Sequence, residues 1–328
     1  MLDKYFPYYI LTFFVSLLLT AIIEKNLIPY LKRRAEQPIY EGGPSWHSKK
    51  SGTPTMGGIA FVLAISASIL PGIFILFFAG QKYAALSLIL SLVFSLGNAA
   101  VGLIDDAQKL KKHENAGLSP KQKLVFQFVL AALFVLASKL LLGKGTEISF
   151  SFGKIDVGPI YYPLLVIFLV GMINSANLTD GIDGLASSVA FSVGISLFYI
   201  SASLMPELSF LSASLVGATI GFLLFNLNPA KVFMGDTGSL FLGGIIASSS
   251  LILENPLIVF FIAGVYVIEG FSVALQVAVY KLTKKRVFKM APLHHHLEKS
   301  GYSENKICII AIFLTFLFSV PAYIFYLP

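Results

Sequence analysis

Cysteine is nearly missing from this chain: Cys308 is the only one in 328 residues. A disulfide framework and a cysteine-built zinc site are therefore excluded, and the apolar segment around Cys308 marks it as a buried free thiol. Charge is scarce as well. Asp, Glu, Lys and Arg make up 12% of the residues against 56% hydrophobic, with a mean hydropathy of +0.81. That balance excludes a soluble globular domain and describes an integral membrane protein. Ser/Pro-rich linkers, low-complexity tracts and the internal repeats of two-half transporters are also lacking. The first apolar run has Asp3 and Lys4 before it and Lys25, Lys32, Arg33 and Arg34 after it. This is the reverse of leader polarity, so the run is expected to stay as a helix.

Apolar runs are what the chain has in quantity. Ten stretches reach the roughly 20 residues a bilayer crossing needs: 7–29, 56–79, 83–104, 122–142, 159–177, 185–204, 208–226, 238–254, 256–280 and 307–326. They predict an all-α polytopic membrane protein with ten transmembrane helices. Of the 24 Lys and Arg, 19 fall in the breaks after the first, third, fifth, seventh and ninth spans or, as Lys25 and Lys123 do, at the span ends beside them. Cytoplasmic loops carry the positive excess, so these breaks are expected inside and both termini outside. On the outer side, Ile148, Phe150 and Phe152 alternate with Ser149, Ser151 and Gly153. Period-two alternation over 147–157 predicts a small periplasmic β-hairpin centred on Gly153-Lys154.

Five aspartates, Asp105, Asp106, Asp180, Asp183 and Asp236, lie in three of the inner breaks. Carboxylates beside a bilayer are too costly to leave unpaired, so their gathering on one face points to a divalent cation and a phosphate-bearing substrate. The first break ends in Ser48-Lys49-Lys50-Ser51-Gly52-Thr53-Pro54-Thr55-Met56-Gly57-Gly58, where Lys50 and Thr55 could reach a phosphate or a sugar. A basic loop lying on anionic lipid would look similar. The second break runs from Asp105-Asp106 through Lys109, Asn115 and Gly117-Leu118 to Lys121, and its adjacent carboxylates need Mg²⁺ or lysines to neutralise them. In the third, Asn177, Asp180 and Asp183 share a glycine-bearing turn without a basic neighbour, which favours anion and metal chemistry over a plain turn. The fourth, 226–239, places Asp236 before a helix start between Gly235 and Gly238, with Phe233 free to stack on a planar base or dip into lipid. The fifth carries Met290-Ala291-Pro292-Leu293-His294-His295-His296. Consecutive His side chains diverge, so a single shared zinc is not expected. Glu269 and Gln276 lie within the ninth span; an intramembrane carboxylate is either functional or paired with a lysine or a loop amide.

These five motifs, in this order, resemble the polyprenyl-phosphate N-acetylhexosamine-1-phosphate transferases over nearly the whole chain. The Gly52-Thr53-Pro54-Thr55-Met56-Gly57-Gly58 and Met290-Ala291-Pro292-Leu293-His-His-His strings are similar to the bacterial branch acting on a muramoyl-pentapeptide nucleotide. The resemblance implies transfer of phospho-MurNAc-pentapeptide from UDP-MurNAc-pentapeptide to undecaprenyl phosphate, giving lipid I and UMP, the first membrane step of peptidoglycan synthesis. It further implies Mg²⁺ dependence, a homodimer in the bacterial cytoplasmic membrane, no nucleic-acid partner, and one transferase domain over 1–328. Its cleft would be built from the breaks 30–55, 105–121, 177–184, 226–239 and 281–306.

By the same resemblance, Asp236 is the Mg²⁺ ligand, Asp105 and Asp106 handle metal and lipid phosphate, and His294 is an essential histidine. Lys50, Thr55, Asn177, Asp180, Asp183, Asn226, Gly235, Ser239, Gln276, Ala291 and His295 resemble the nucleotide-sugar pocket, with Phe233 stacked on uracil. Lys109 and Lys121 are expected to offset the substrates' negative charge. Three other readings compete: a sister transferase using UDP-GlcNAc, a transporter, and an aromatic prenyltransferase with paired Asp-rich motifs.

Overall fold

The computed structural model describes residues 4–33, 50, 52–112, 117–201 and 205–326. Expectations resting on Asp3, Arg34, Ser48, Lys49, Ser51 and Asn115, and on most of the 30–55 break, lie outside them. The described chain is almost entirely helical. Its elements are α1 (Phe6–Leu31), α2 (Gly58–Phe78), α3 (Lys82–Lys112), α4 (Pro120–Leu142), a hairpin of β1 (Glu147–Phe150) and β2 (Gly153–Asp156), then α5 (Tyr161–Thr179), α6 (Leu185–Ser201) and α7 (Pro206–Asn226). After these come α8 (Gly235–Ile252), α9 (Pro256–Ile262), α10 (Gly264–Thr283), α11 (Leu293–Glu298) and α12 (Glu304–Tyr326).

Eight of the helices are long and apolar enough to cross a membrane: α1, α2, α3, α4, α5, α7, α10 and α12. Two of the ten expected spans do not meet that description. Helix α6 has 17 residues, and α8 dilutes its apolar run with Asp236, Thr237 and a Ser248-Ser249-Ser250 run. The ninth expected span is not continuous either, because Ala263 leaves helical geometry between α9 and α10.

A third departure matters for the site. The apolar run of α3 stops near Ile104, but the helix continues to Lys112 and carries Asp105, Asp106 and Lys109 on its last turns. Charge ends an apolar run without ending a helix, and Ala107, Gln108, Lys109 and Leu110 are good helix formers. The start of α4 is set locally. Ser119 accepts from the Gln122 N–H, Gln122 returns a side-chain oxygen to the Ser119 N–H, and Pro120 occupies the first turn.

Helix α8 is the centre of the bundle, with every residue from Thr237 to Ile252 buried. It packs along α3 and α5, while α1 packs along α7. The buried serines of α8 return their hydroxyls to its own backbone: Ser248, Ser249 and Ser250 donate to the carbonyls of Ile245, Ile246 and Ala247, so these three hydroxyls are satisfied within the apolar interior. The periphery is apolar instead, as with Leu11, Phe14, Leu18 and Ile22 along α1, the pattern of a bundle whose solvent is lipid. At Gly102 of α3 the backbone of Asp236 and Thr237 leaves no room for a Cβ. That close approach brings the end of α3 onto the start of α8.

The hairpin forms, but its turn lies two residues earlier than expected. Phe150 pairs with Gly153 and Ile148 with Ile155, so Ser151 and Phe152 make the loop. Gly153, at φ +140°, closes the ladder instead of heading it. Phe150 and Phe152 stack at 5.0 Å. The hairpin is tied to the bundle through Ser149, whose N–H donates to the Glu254 carbonyl and whose carbonyl accepts from Asn255 Nδ2.

Candidate active site

Three carboxylates meet where α3 ends and α8 begins. One oxygen from each of Asp105, Asp106 and Asp236 lies within 4.8 Å of the others. Asp106 is fixed by the first turn of α8. Its Oδ1 accepts from the Asp236 N–H at 3.1 Å, and its Oδ2 accepts from the Thr237 N–H at 2.9 Å and from Thr237 Oγ1 at 2.7 Å. This carboxylate faces the positive end of the α8 dipole and satisfies amides that have no partner inside the helix. Asp105, fully buried, accepts from the Leu118 N–H at 2.7 Å through Oδ1.

Two ammonium groups balance the cluster. Lys109 Nζ lies 2.7 Å from Asp105 and 3.1 Å from Asp236. Lys123 Nζ lies 2.9 Å from Asp105 and 2.5 Å from Asp236. Lys109 follows Asp105 by one helical turn, as its spacing suggests. Lys123 was missed by sequence reasoning, which picked Lys121; the structure leaves Lys121 exposed and turns Lys123, two residues further along α4, into the cluster. Asn177 completes the group, with Nδ2 donating to Asp236 Oδ1 at 3.0 Å and to Ser239 Oγ at 2.8 Å. Gly235, at φ +74°, lies against Asp106 and Thr55. Phe233, half-buried, is held through its backbone: its N–H donates to the Pro54 carbonyl, and its own carbonyl accepts from the Gly57 N–H.

A second group joins the third and fourth breaks to α12. Lys50 Nζ pairs with Asp183 and with Glu304, both at 2.7 Å. Asp183 also accepts from Asn228 Nδ2 and the Ala230 N–H, and its own N–H donates to Glu304 at 2.7 Å. Asn226 accepts from the Gly184 N–H and donates to the Val232 carbonyl. Glu304 gave no sequence signal beyond its place at the start of a helix. Asp180, half-buried between the two groups, is pushed well above the usual carboxylate range by burial, with the charges of Asp236, Asp106 and Asp183 adding to it and Lys50 opposing.

The third group lies on α10 and α11. Gln276 accepts from the Val287 and Phe288 N–H groups and donates to the Phe288 carbonyl, which folds the segment after α10 back toward the site. Ala291 is half-buried, and His295 Nδ1 lies 2.6 Å from Glu298. His296 Nδ1 accepts from the Lys289 N–H, so each His of the triplet has its own surroundings. His294, fully buried, reaches the Gly181 turn.

The acidic cluster could hold a metal ion. Its donors are all carboxylate oxygens, which suit a hard divalent cation, and the two lysines show how much positive charge the three carboxylates accept.

Residues 88–254, more than half of the chain, match the model of glycosyl transferase family 4, and residues 50–62 match phospho-N-acetylmuramoyl-pentapeptide-transferase signature 1. Curated relatives named phospho-N-acetylmuramoyl-pentapeptide-transferase align along almost all of the chain. The protein from Halalkalibacterium halodurans is 42% identical over 95% of this chain and 96% of its own. Those from Thermoanaerobacter pseudethanolicus and Staphylococcus haemolyticus are each 43% identical, over 94% and 92% of this chain and 97% and 93% of their own. The chain thus belongs to glycosyl transferase family 4, among its phospho-N-acetylmuramoyl-pentapeptide-transferases.

Proposed function

We propose that this protein transfers phospho-MurNAc-pentapeptide from UDP-MurNAc-pentapeptide to undecaprenyl phosphate in the bacterial cytoplasmic membrane, forming lipid I and UMP. The observation that carries this reading is the convergence of Asp105, Asp106 and Asp236 within 4.8 Å, in a chain so similar to transferases of that name.

In this reading the lipid phosphate oxygen forms a bond to the β-phosphorus of the nucleotide sugar. The bond from that phosphorus to the bridging oxygen breaks, and its electron pair leaves with UMP. Direct attack is favoured over a covalent aspartyl intermediate: Asp106 already accepts three hydrogen bonds from α8, and Asp105 is tied to two lysines. Lys109 and Lys123 offset the charge of two anionic substrates. Asp236, with Asp105 and Asp106, would hold Mg²⁺, which supplies Lewis-acid stabilisation of the pyrophosphate when bound. Lys50, Thr55, Asn177, Asp180, Asp183, Asn226, Phe233, Gly235, Ser239, Gln276, Ala291 and His295 form the nucleotide-sugar side, and His294 acts at the reaction. The cleft faces the cytoplasm, in a single domain of ten crossings with both termini outside. Charge asymmetry supports that orientation, and family resemblance supports a homodimer.

Purified protein with undecaprenyl phosphate should release UMP from UDP-MurNAc-pentapeptide only when Mg²⁺ is present. Release from UDP-GlcNAc instead would move the chain to the sister reading. No release from either would remove the transferase reading.

A further inference from the structure

Glu269 has no part in the chemistry above, yet it is a buried carboxylate inside a span. Its position on α10 is fixed from both sides. Three residues earlier, Tyr266 donates its hydroxyl to the Ala186 carbonyl of α6; one residue later, Gly270 is so close to Ser175 of α5 that a Cβ would collide with it. From there the carboxylate reaches 25 residues along the chain. It accepts from the His294 N–H at 3.1 and 3.3 Å, and its Oε2 lies 3.1 Å from His294 Nδ1.

A carboxylate can only accept, so in the neutral ring the proton is on Nδ1 and Nε2 keeps a bare lone pair. That Nε2 is buried and has no hydrogen-bond partner among the described residues. It lies against Gly181, where any Cβ would strike the imidazole, beside Asp180 and four residues from Asn177. A buried acceptor without a partner is costly unless a ligand supplies the donor.

We infer that Glu269 is a positioning residue: it locks His294 in the Nδ1–H tautomer and so presents Nε2 at the Asp180-Gly181 turn as an acceptor for a hydroxyl or amide N–H of the nucleotide sugar. The identity of that ligand rests on the transferase reading; the tautomer does not. Carboxylate partners of metal-binding histidines fix ring orientation and tautomer in this way, and their loss typically costs roughly 10–100-fold in affinity or activity; an effect of that size is expected for Glu269.

The test is ¹⁵N NMR of histidine-labelled protein in nanodiscs, with the His294 signals assigned by their loss in Glu269-intact His294→Gln, alongside UMP-release kinetics. Wild type should carry the proton on Nδ1 alone. Glu269→Met should shift the ring toward the Nε2–H form and lower kcat/KM by roughly 10–100-fold. Glu269→Gln, whose amide oxygen can still accept from both His294 donors, should recover most of that loss. In the His294→Gln background the Glu269→Met change should cost less than about threefold more, because the two residues act as one unit. An equal loss in both backgrounds means that Glu269 only supports the fold and overturns the inference. A wild-type ring protonated on Nε2 overturns it as well, even if Glu269→Met does not fold. Wild-type protein that releases no UMP removes the transferase reading, and the tautomer measurement still decides the role of Glu269.

Discussion

Lysine–carboxylate pairs sit at both ends of the bundle. Where α3 ends and α8 begins, Lys109 and Lys123 each touch both Asp105 and Asp236, and Asp105 is wholly buried. At the hairpin end Lys144 meets Glu254 at 2.7 Å and Lys154 meets Glu147 at 3.2 Å, one ion-pair partner each; Lys144 is about as buried as Lys109, but the side chains of Glu254, Lys154 and Glu147 are exposed. The hairpin end also has a cavity of about 330 Å³ whose lining includes Lys144, Glu147, Lys154, Tyr161, Tyr162 and Glu254. Space alone does not mark a site. What separates the two ends is charge that is shared, buried and convergent, as opposed to charge cancelled pair by pair at the surface.

Removing Asp236 should expose that difference most sharply. Asp236→Ala is expected to lower Mg²⁺-dependent UMP release on the order of a thousandfold or more, while the protein still elutes as a single species in detergent. Wild-type turnover in that variant would take Asp236 out of the site. Lys123→Met should cost roughly a hundredfold in kcat, since Lys109 alone then faces two carboxylates; Lys121→Met should stay within about twofold. Equal losses in the two variants would mean that the rotation of α4 is not what selects the lysine.

The acidic end should also respond to pH through Asp180. Its carboxyl is raised in the fold, so the stability it contributes is present at low pH and is lost as pH rises through the folded value. A bound cation reverses that penalty by favouring the charged form. The melting temperature gained on adding Mg²⁺ should therefore grow with pH, and the slope should flatten in Asp180→Asn; a gain independent of pH in the parent protein would argue against the coupling. The smallest effect belongs to the hairpin. Lys154→Ala should leave UMP release unchanged and move stability by no more than about 0.5 kcal/mol, measured by thermal unfolding, and a larger change would give that pair a role the comparison denies it.

The apolar runs made the helices legible, because a bilayer-length stretch is a signal each segment carries by itself. Helix ends were less legible. Asp105 and Asp106 read as a loop because charge terminates hydropathy, whereas the backbone of α3 continues through them. The three converging aspartates could be singled out one by one, but their meeting depends on Gly102 letting α3 press on α8, a contact across 134 positions. Lys123 was hidden for a related reason: only the neighbours of α4 decide which side of its first turn faces inward. The pairing of Glu269 with His294 joins two segments 25 residues apart, beyond the reach of helical periodicity. In the hairpin, alternation gave the strands but not the register, which the Ser151-Phe152 loop sets.

The cap that Asp106 places on α8 has a mechanical side. Three hydrogen bonds and a backbone seam at Gly102 weld α3 to α8, so this wall behaves as a doorpost. The opposite wall hangs from α10 by the side chains of Gln276 and Glu269. A change at either of those two side chains therefore acts on the histidine-bearing segment and leaves the carboxylates where they stand.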